Sequence, residues 1–411
     1  MARKLLLSIG FQQVLCATVT VVALGGCGPA SEAAAPTLDA SSGPGPAGDA
    51  GVSGDVATSP LPSVSNGDAS MLPDVQPARK GKTVFVAAGH MGRTMMSCDG
   101  GLTWIHDRSD RDEARCWVSG DPNYVECDHT PYSSPAGGLV YGDGRFYSAS
   151  GWGFDGSVRR TTDGASWDTV KTGGWGGGVA YAKHTLLVVW EGAWSTSTDS
   201  GSTWNPVPST DSNGFDHALP RGVGDRFFVI GRDGGAATLA LSSDGGGSWT
   251  RPSGLGRSNG VSLVEGNGVV VGTGETGMVA RSVNGGQTWS SKQVLPAAAG
   301  WATRLVFDGS AFVALSGGSR WTSTDGEAWT STPFTIDGAA APPWWSAAFA
   351  VDPETRTFVA VLSVWGNYYD KQRAYRSADG IAWTTLDDQH FKGGHPLSQI
   401  VSGRLDAPAC P

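Results

Sequence analysis

Basic residues are in short supply: 29 Lys and Arg stand against 38 Asp and Glu, a formal net charge of −9. A nucleic-acid backbone or an anionic membrane surface needs a basic patch, so neither is expected as a partner. Cysteine is sparse, at 6 residues, and no Cys-x-x-Cys or paired Cys/His spacing occurs, so no metal site is assigned. There is no Walker loop, zinc-helix motif, nucleophile elbow or c-type haem attachment motif, and no cofactor is implied. Beyond residue 24 no segment is apolar enough to span a bilayer.

Glycine, by contrast, is abundant at 61 residues, and tryptophan reaches 17. Much of both belongs to one repeated phrase: a Ser or Thr, a spacer, an Asp (once Asn) with Gly close behind, then Trp. The copies run Ser97–Trp104, Thr161–Trp167, Ser197–Trp204, Ser242–Trp249, Ser282–Trp289, Ser323–Trp329 and Ser377–Trp383. Asn284 replaces Asp in the fifth, and the second, sixth and seventh are one residue shorter before the Trp. Self-similarity at roughly 40-residue spacing marks a repeat architecture. Each copy reads as a hairpin turn, since the Asp or Asn accepts backbone N–H bonds and Gly supplies a positive φ. The Trp buries a large apolar face while its ring N–H seeks an acceptor. Two β-like runs precede each turn, for example Val269-Val270-Val271 and Met278-Val279-Ala280-Arg281. With an opening run and one after the turn, each unit has four short strands. Four-stranded sheets repeated radially make a β-propeller, here with seven blades.

The phrase is identified as the Asp box, or bacterial neuraminidase repeat. From about Thr83 onward the chain resembles Asp-box propellers: sialidases, xyloglucanases, the sortilin ectodomain and the photosystem II stability factor. The resemblance implies an all-β, seven-bladed propeller of four-stranded antiparallel blades, with boxes that are structural and lie away from the functional face. Sialidases carry a Phe/Tyr-Arg-Ile-Pro segment before the first box; here Arg79 and Arg93 precede Ser97 and neither is followed by Ile-Pro. Xyloglucanases hold substrate between two tandem propellers, whereas roughly 330 residues suit one. The stability factor shares the single-propeller design but engages its partner through an arginine-rich patch, which this acidic chain does not match.

The N-terminus reads as an export signal. Arg3 and Lys4 precede a mostly apolar stretch to Leu24, and Leu24-Gly25-Gly26-Cys27 looks like a bacterial lipobox. Residues 1–26 would be removed and Cys27 lipidated, giving a membrane attachment through lipid only. Gly28 after the cysteine points to the outer membrane or cell surface of a Gram-negative bacterium. Residues 28–81, dominated by Ala, Gly, Pro, Ser, Asp and Val, cannot bury enough apolar surface to order and read as a tether. The propeller, expected as a monomer, occupies 82–411.

Four further cysteines, Cys98, Cys116, Cys127 and Cys410, remain in an oxidising compartment, and three pairings are possible. Cys116 and Cys127 share the insertion after the first box. The chain enters on what looks like a second strand, Thr83–Ala88, and Leu397–Val401 has the character of the missing inner strand. Ring closure by that strand would leave Cys410 beside the first box, so Cys98–Cys410 is expected.

In propellers of this kind, the interblade loops and the loops between second and third strands share one face. The interblade loops carry Trp175, His217, Trp301, Trp344, Trp345 and His395. The second-to-third-strand loops carry His90, Trp152, Asp155, Glu191, Asp233, Glu275, Trp365, Tyr368, Tyr369 and Asp370. Aromatic rings with a few carboxylates suit sugars. Trp152, Trp175, His217, Trp301, Trp344, Trp345, Trp365 and Tyr368 are taken as ligand-binding candidates, while Trp190, Trp194 and Trp321 read as interblade packing. The expected function is non-catalytic binding of an extracellular glycan or envelope protein. The alternative is a glycoside hydrolase or polysaccharide lyase using rim carboxylates or histidines. A glycosidase needs two carboxyl groups across a cleft; Asp155, Glu191, Asp233 and Glu275 are the candidates.

Overall fold

A computed structural model describes residues 81–89, 92–108, 138–150, 156–173, 178–190, 193–212, 215–233, 236–255, 262–274, 277–296, 304–342, 347–362, 373–386 and 397–411. Within them seven antiparallel sheets follow one another along the chain. Their inner strands are Leu397–Leu405, Gly138–Gly142, Gly178–Ala182, Asp216–Val223, Ser262–Gly266, Leu305–Phe307 and Ala348–Asp352, for blades one to seven. Each inner strand touches the next, and that of blade seven touches that of blade one, so the ring is closed.

Closure follows from strand patterning. The second strands are apolar at consecutive positions, as in Val84-Phe85-Val86-Ala87-Ala88 and Phe227-Phe228-Val229-Ile230. Successive side chains point to opposite faces of a sheet, so such a strand needs cover on both sides. Val84, Val86 and Ala88 pack with Leu139 and Phe146 of blade two, while Phe85 and Ala87 pack with Val359 and Val361 of blade seven. The same division recurs at every seam, giving one apolar cluster for each of the seven pairs of neighbouring blades.

The boxes form as expected. In the first, Ser97 Oγ donates to Asp99 Oδ1 (2.9 Å) and accepts from Gly101 N (2.8 Å). Asp99 Oδ1 accepts from Thr103 N (2.9 Å) and Oδ2 from Thr103 Oγ1 (2.6 Å). Trp104 Nε1 donates to Gly101 O at 3.1 Å. The shorter boxes close differently: Asp325 Oδ1 accepts from both Glu327 N and Ala328 N. In the fifth, Asn284 Oδ1 accepts from Thr288 N while its Nδ2 donates to Thr288 Oγ1, so the amide reproduces the carboxylate pattern with one bond reversed. Trp167 departs from the rest: its ring N–H has no acceptor among the described residues, and the Arg159 guanidinium sits 5.8 Å from its ring centroid.

Every box also leans on the preceding blade. Arg376 donates to Gly100 O, Arg108 to Ala165 O, Arg160 to Ser200 O, Lys183 to Ser243 O and Arg281 to Asp325 O. The box of blade five lies against Arg226 and Phe228, and that of blade seven against Arg320. Gly101, at φ +89°, is required twice over: a Cβ there would meet Val359 of blade seven at 2.6 Å. Since each turn contacts the blade before it, the seven boxes run around one face.

Two blades depart from four strands. Blade four has three, plus a single bridge from Leu241 to Thr250. Pro252 stands where the next ladder N–H would be needed, which ends the pairing. Blade seven is enlarged to six by the hairpin Thr335–Ile336 and Ala339–Ala340, whose first strand runs parallel to Ala382–Leu386. Asp337 fixes it by accepting from Thr385 N (2.9 Å) and Oγ1 (2.6 Å).

Leu397–Leu405 pairs antiparallel with Lys82–Gly89, making the C-terminus the inner strand of blade one. The chain then returns to the box face, where Ala409 N donates to Asp163 O, and Cys410 is bonded to Cys98 across 312 residues. The expected pairing is therefore present. Cys27, Cys116 and Cys127 lie outside the described residues, as do the leader and the segment up to residue 80. No helix among the described residues is long and apolar enough to cross a membrane.

In the chain-entropy view a cross-link spanning so long a loop contributes about 5–6 kcal/mol. Cys410→Ser, or reduction, should lower the urea midpoint by a matching amount with the ring still formed; an unchanged midpoint would remove the disulfide from the closure. Acid provides a second check. Hydrogen bonds from the Thr203 hydroxyl and N–H hold the Asp199 carboxyl down at about 2, and those from the Ala328 and Glu327 N–H groups do the same for Asp325. Both pKa values lie below the unfolded one, so their contribution is complete above roughly pH 4 and is lost as pH falls toward about 2. Urea midpoints should drop across that window, and less steeply in Asp199→Asn/Asp325→Asn.

Candidate functional site

Antiparallel strands place successive hairpins at alternate ends, so the loops between second and third strands and the interblade loops leave from the face opposite the boxes. Ser150 and Ser157 mark one such stem, their hydroxyls 3.0 Å apart across the ladder. Most candidates lie outside the described residues: Trp152, Asp155, Trp175, Glu191, Glu275, Trp301, Trp344, Trp345, Trp365 and Tyr368, with His90, His395, Tyr369 and Asp370.

Two positions differ from expectation in their backbone. His217 lies within the inner strand of blade four rather than in a loop, where the register slips between Asp216 and Leu219. Asp233 is the last residue of its strand, paired with Ala236. The side chains of both fall outside the described set. The tryptophans assigned to packing do pack. Trp194 is 2% exposed and meets Phe215 and Trp249 edge-on at 5.0 and 5.1 Å. Trp190 is buried, with Lys171 Nζ 5.4 Å from its ring centroid, and Trp321 donates its ring N–H to Ser316 O.

At the hub the inner strands enclose a cavity of about 320 Å³, reached by Leu139 of blade two, Ser262 of blade five, Arg304 of blade six, Ala350 of blade seven and Gln399 and Ser402 of blade one. Blades two and five are not neighbours, so only the centre of the wheel can bring them together. Two of the polar groups are committed to the walls. Ser262 Oγ accepts from Leu305 N (3.1 Å), stitching blade five to six, and Ser402 Oγ donates to Val351 O (2.7 Å), stitching one to seven. Arg304 and Gln399 are left; both are half-buried, and neither side chain makes a hydrogen bond or ion pair with the described residues. Burial holds the Arg304 guanidinium below its ordinary value, yet an arginine so placed keeps its charge at neutral pH. The hub therefore offers a cation and an amide that are uncommitted among the described residues. Neither residue was singled out in the sequence, because neither stands in a motif.

The fold has solved counterparts. The chain is similar to the GH74 xyloglucanase from Xanthomonas campestris, at 16% identity and TM-score 0.51, covering 76% of this chain and 53% of that one. What the two share is the propeller fold. At such identity the likeness is one of fold, and the chain spans about half of that enzyme's length. Looser similarity extends to YCF48 from Cyanidioschyzon merolae, at 12% identity and TM-score 0.42, covering 61% of this chain and 84% of that one. AztD from Citrobacter koseri follows at 11% and 0.46, covering 79% and 98%. No protein-family profile and no curated protein matches the sequence.

Packing and rim tryptophans should separate experimentally. Trp194→Ala should cost about 3–5 kcal/mol, read as a fall in the urea midpoint. A loss below about 1 kcal/mol would mean that this ring is not part of the seam.

Proposed function

We propose that this protein is an exported, lipid-anchored propeller of the outer membrane or cell surface that captures an extracellular ligand, glycan or envelope protein, without chemistry of its own. Support comes from the lipobox at Cys27, the tether-like 28–81 and the aromatic residues that the sequence sets between the strands. The observation that carries the reading is the hub cavity, whose described polar groups beyond the wall-stitching serines are a guanidinium and an amide. These recognise and orient a ligand. The rim tryptophans would extend the contact by stacking on sugar faces, with the carboxylates taking hydroxyls.

Screening the soluble chain from Gly81 onward on a glycan array tests this. Retention of one glycan class is expected, abolished by Trp344→Ala and Trp365→Ala and kept in Glu191→Gln. Release of reducing sugar from a polysaccharide, lost in Glu191→Gln or another rim carboxylate variant, would replace the reading with the hydrolase one. An empty array with stable co-purification of an envelope protein would assign the ligand to protein.

A further inference from the structure

We propose that the hub cavity is a site for a small carboxylate, held by Arg304 with Gln399 beside it. This deepens the binding function above by naming the charge its ligand carries. Three observations converge. Arg304 lines a cavity shared by five blades and has no partner among the described residues, while the serines there are already used in stitching strands. Gln399, on the closing strand, brings a second unengaged polar group to the same space. The cavity, about 320 Å³, sits at the lower end of the roughly 300–1,000 Å³ typical of small-molecule sites.

A charge partly withdrawn from water, with no partner among the described residues, is costly, and supplying a counter-charge is favourable. A carboxylate matches the guanidinium fork with two parallel hydrogen bonds and balances it with one negative charge. A dianion would overshoot, leaving one negative charge beyond what the single guanidinium of the cavity balances. The Gln399 amide can donate to a carboxylate oxygen or accept from a neighbouring hydroxyl, which suits a sugar acid.

The test is heat unfolding of the full chain, followed by tryptophan fluorescence at neutral pH, with glucuronate at tens of millimolar. Glucose and sodium chloride at matched ionic strength are the comparisons. Glucuronate should raise the midpoint by about 3 °C or more over both, through preferential binding to the folded form. Arg304→Met should lose this response while unfolding no earlier than the parent in salt alone, because the unpaired charge is gone. Gln399→Leu, a change at the other wall, should weaken the response and serves if the arginine variant does not fold. Equal shifts with glucuronate and with the controls, or an undiminished response in Arg304→Met, would overturn the site. The two readings fail separately. Retention of neutral glycans with no glucuronate effect sinks the carboxylate site alone. An Arg304-dependent shift with an empty array and no partner sinks the capture function alone.

Discussion

The second strand of each blade is apolar on both faces, and no blade can satisfy that by itself. Phe227 and Val229 face blade three while Phe228 and Ile230 face blade five; exposing either set would forfeit roughly 1.5–3 kcal/mol per large side chain. A linear stack of such sheets would leave two wet apolar ends. Bending the stack into a wheel removes both ends, and the chain secures the last junction twice. Its C-terminal segment becomes the inner strand of the first blade, and Cys410 is joined to Cys98. The hub cavity exists only because that junction is made, since Gln399 and Ser402 arrive with the closing strand.

The boxes add precision to the seams. Each one spends its Ser or Thr, its Asp or Asn and its glycine N–H on holding a single turn. The turn then presents a carbonyl or a bare glycine to the preceding blade. An Arg directly before the box, as in Arg160, Arg281 and Arg376, reaches across to the next blade's turn. The box is therefore an interblade clasp as much as a hairpin.

Much of this was legible in the sequence because it rests on local chemistry. The box turns, the blade count and the entry on a second strand follow from repeat spacing, glycine geometry and apolar runs. The Cys98–Cys410 bond then follows from topology. What escaped depends on partners distant in sequence. The bridge that replaces the fourth strand of blade four hinges on Pro252 meeting a ladder position. The added hairpin of blade seven did carry a signal, Asp337-Gly338, with both residues at positive φ as a tight hairpin turn requires. His217 was placed in a loop because the inner strand of blade four begins earlier than its apolar run. Arg304 and Gln399 were invisible for a deeper reason: what sets them apart is the want of a side-chain partner among the described residues, and that depends on how five blades meet.

A wheel without ends should open as a unit, which native-state hydrogen exchange can measure residue by residue. In each box a glycine N–H donates to the box Ser or Thr oxygen: Gly101, Gly164, Gly201, Gly246, Gly286, Gly326 and Gly380. With the disulfide intact, these amides should exchange only through global unfolding, with free energies equal within error around the ring. A graded series, with Gly101 and Gly380 exchanging far earlier than Gly201 and Gly246, would show that blades one and seven are not joined and would contradict the closed ring.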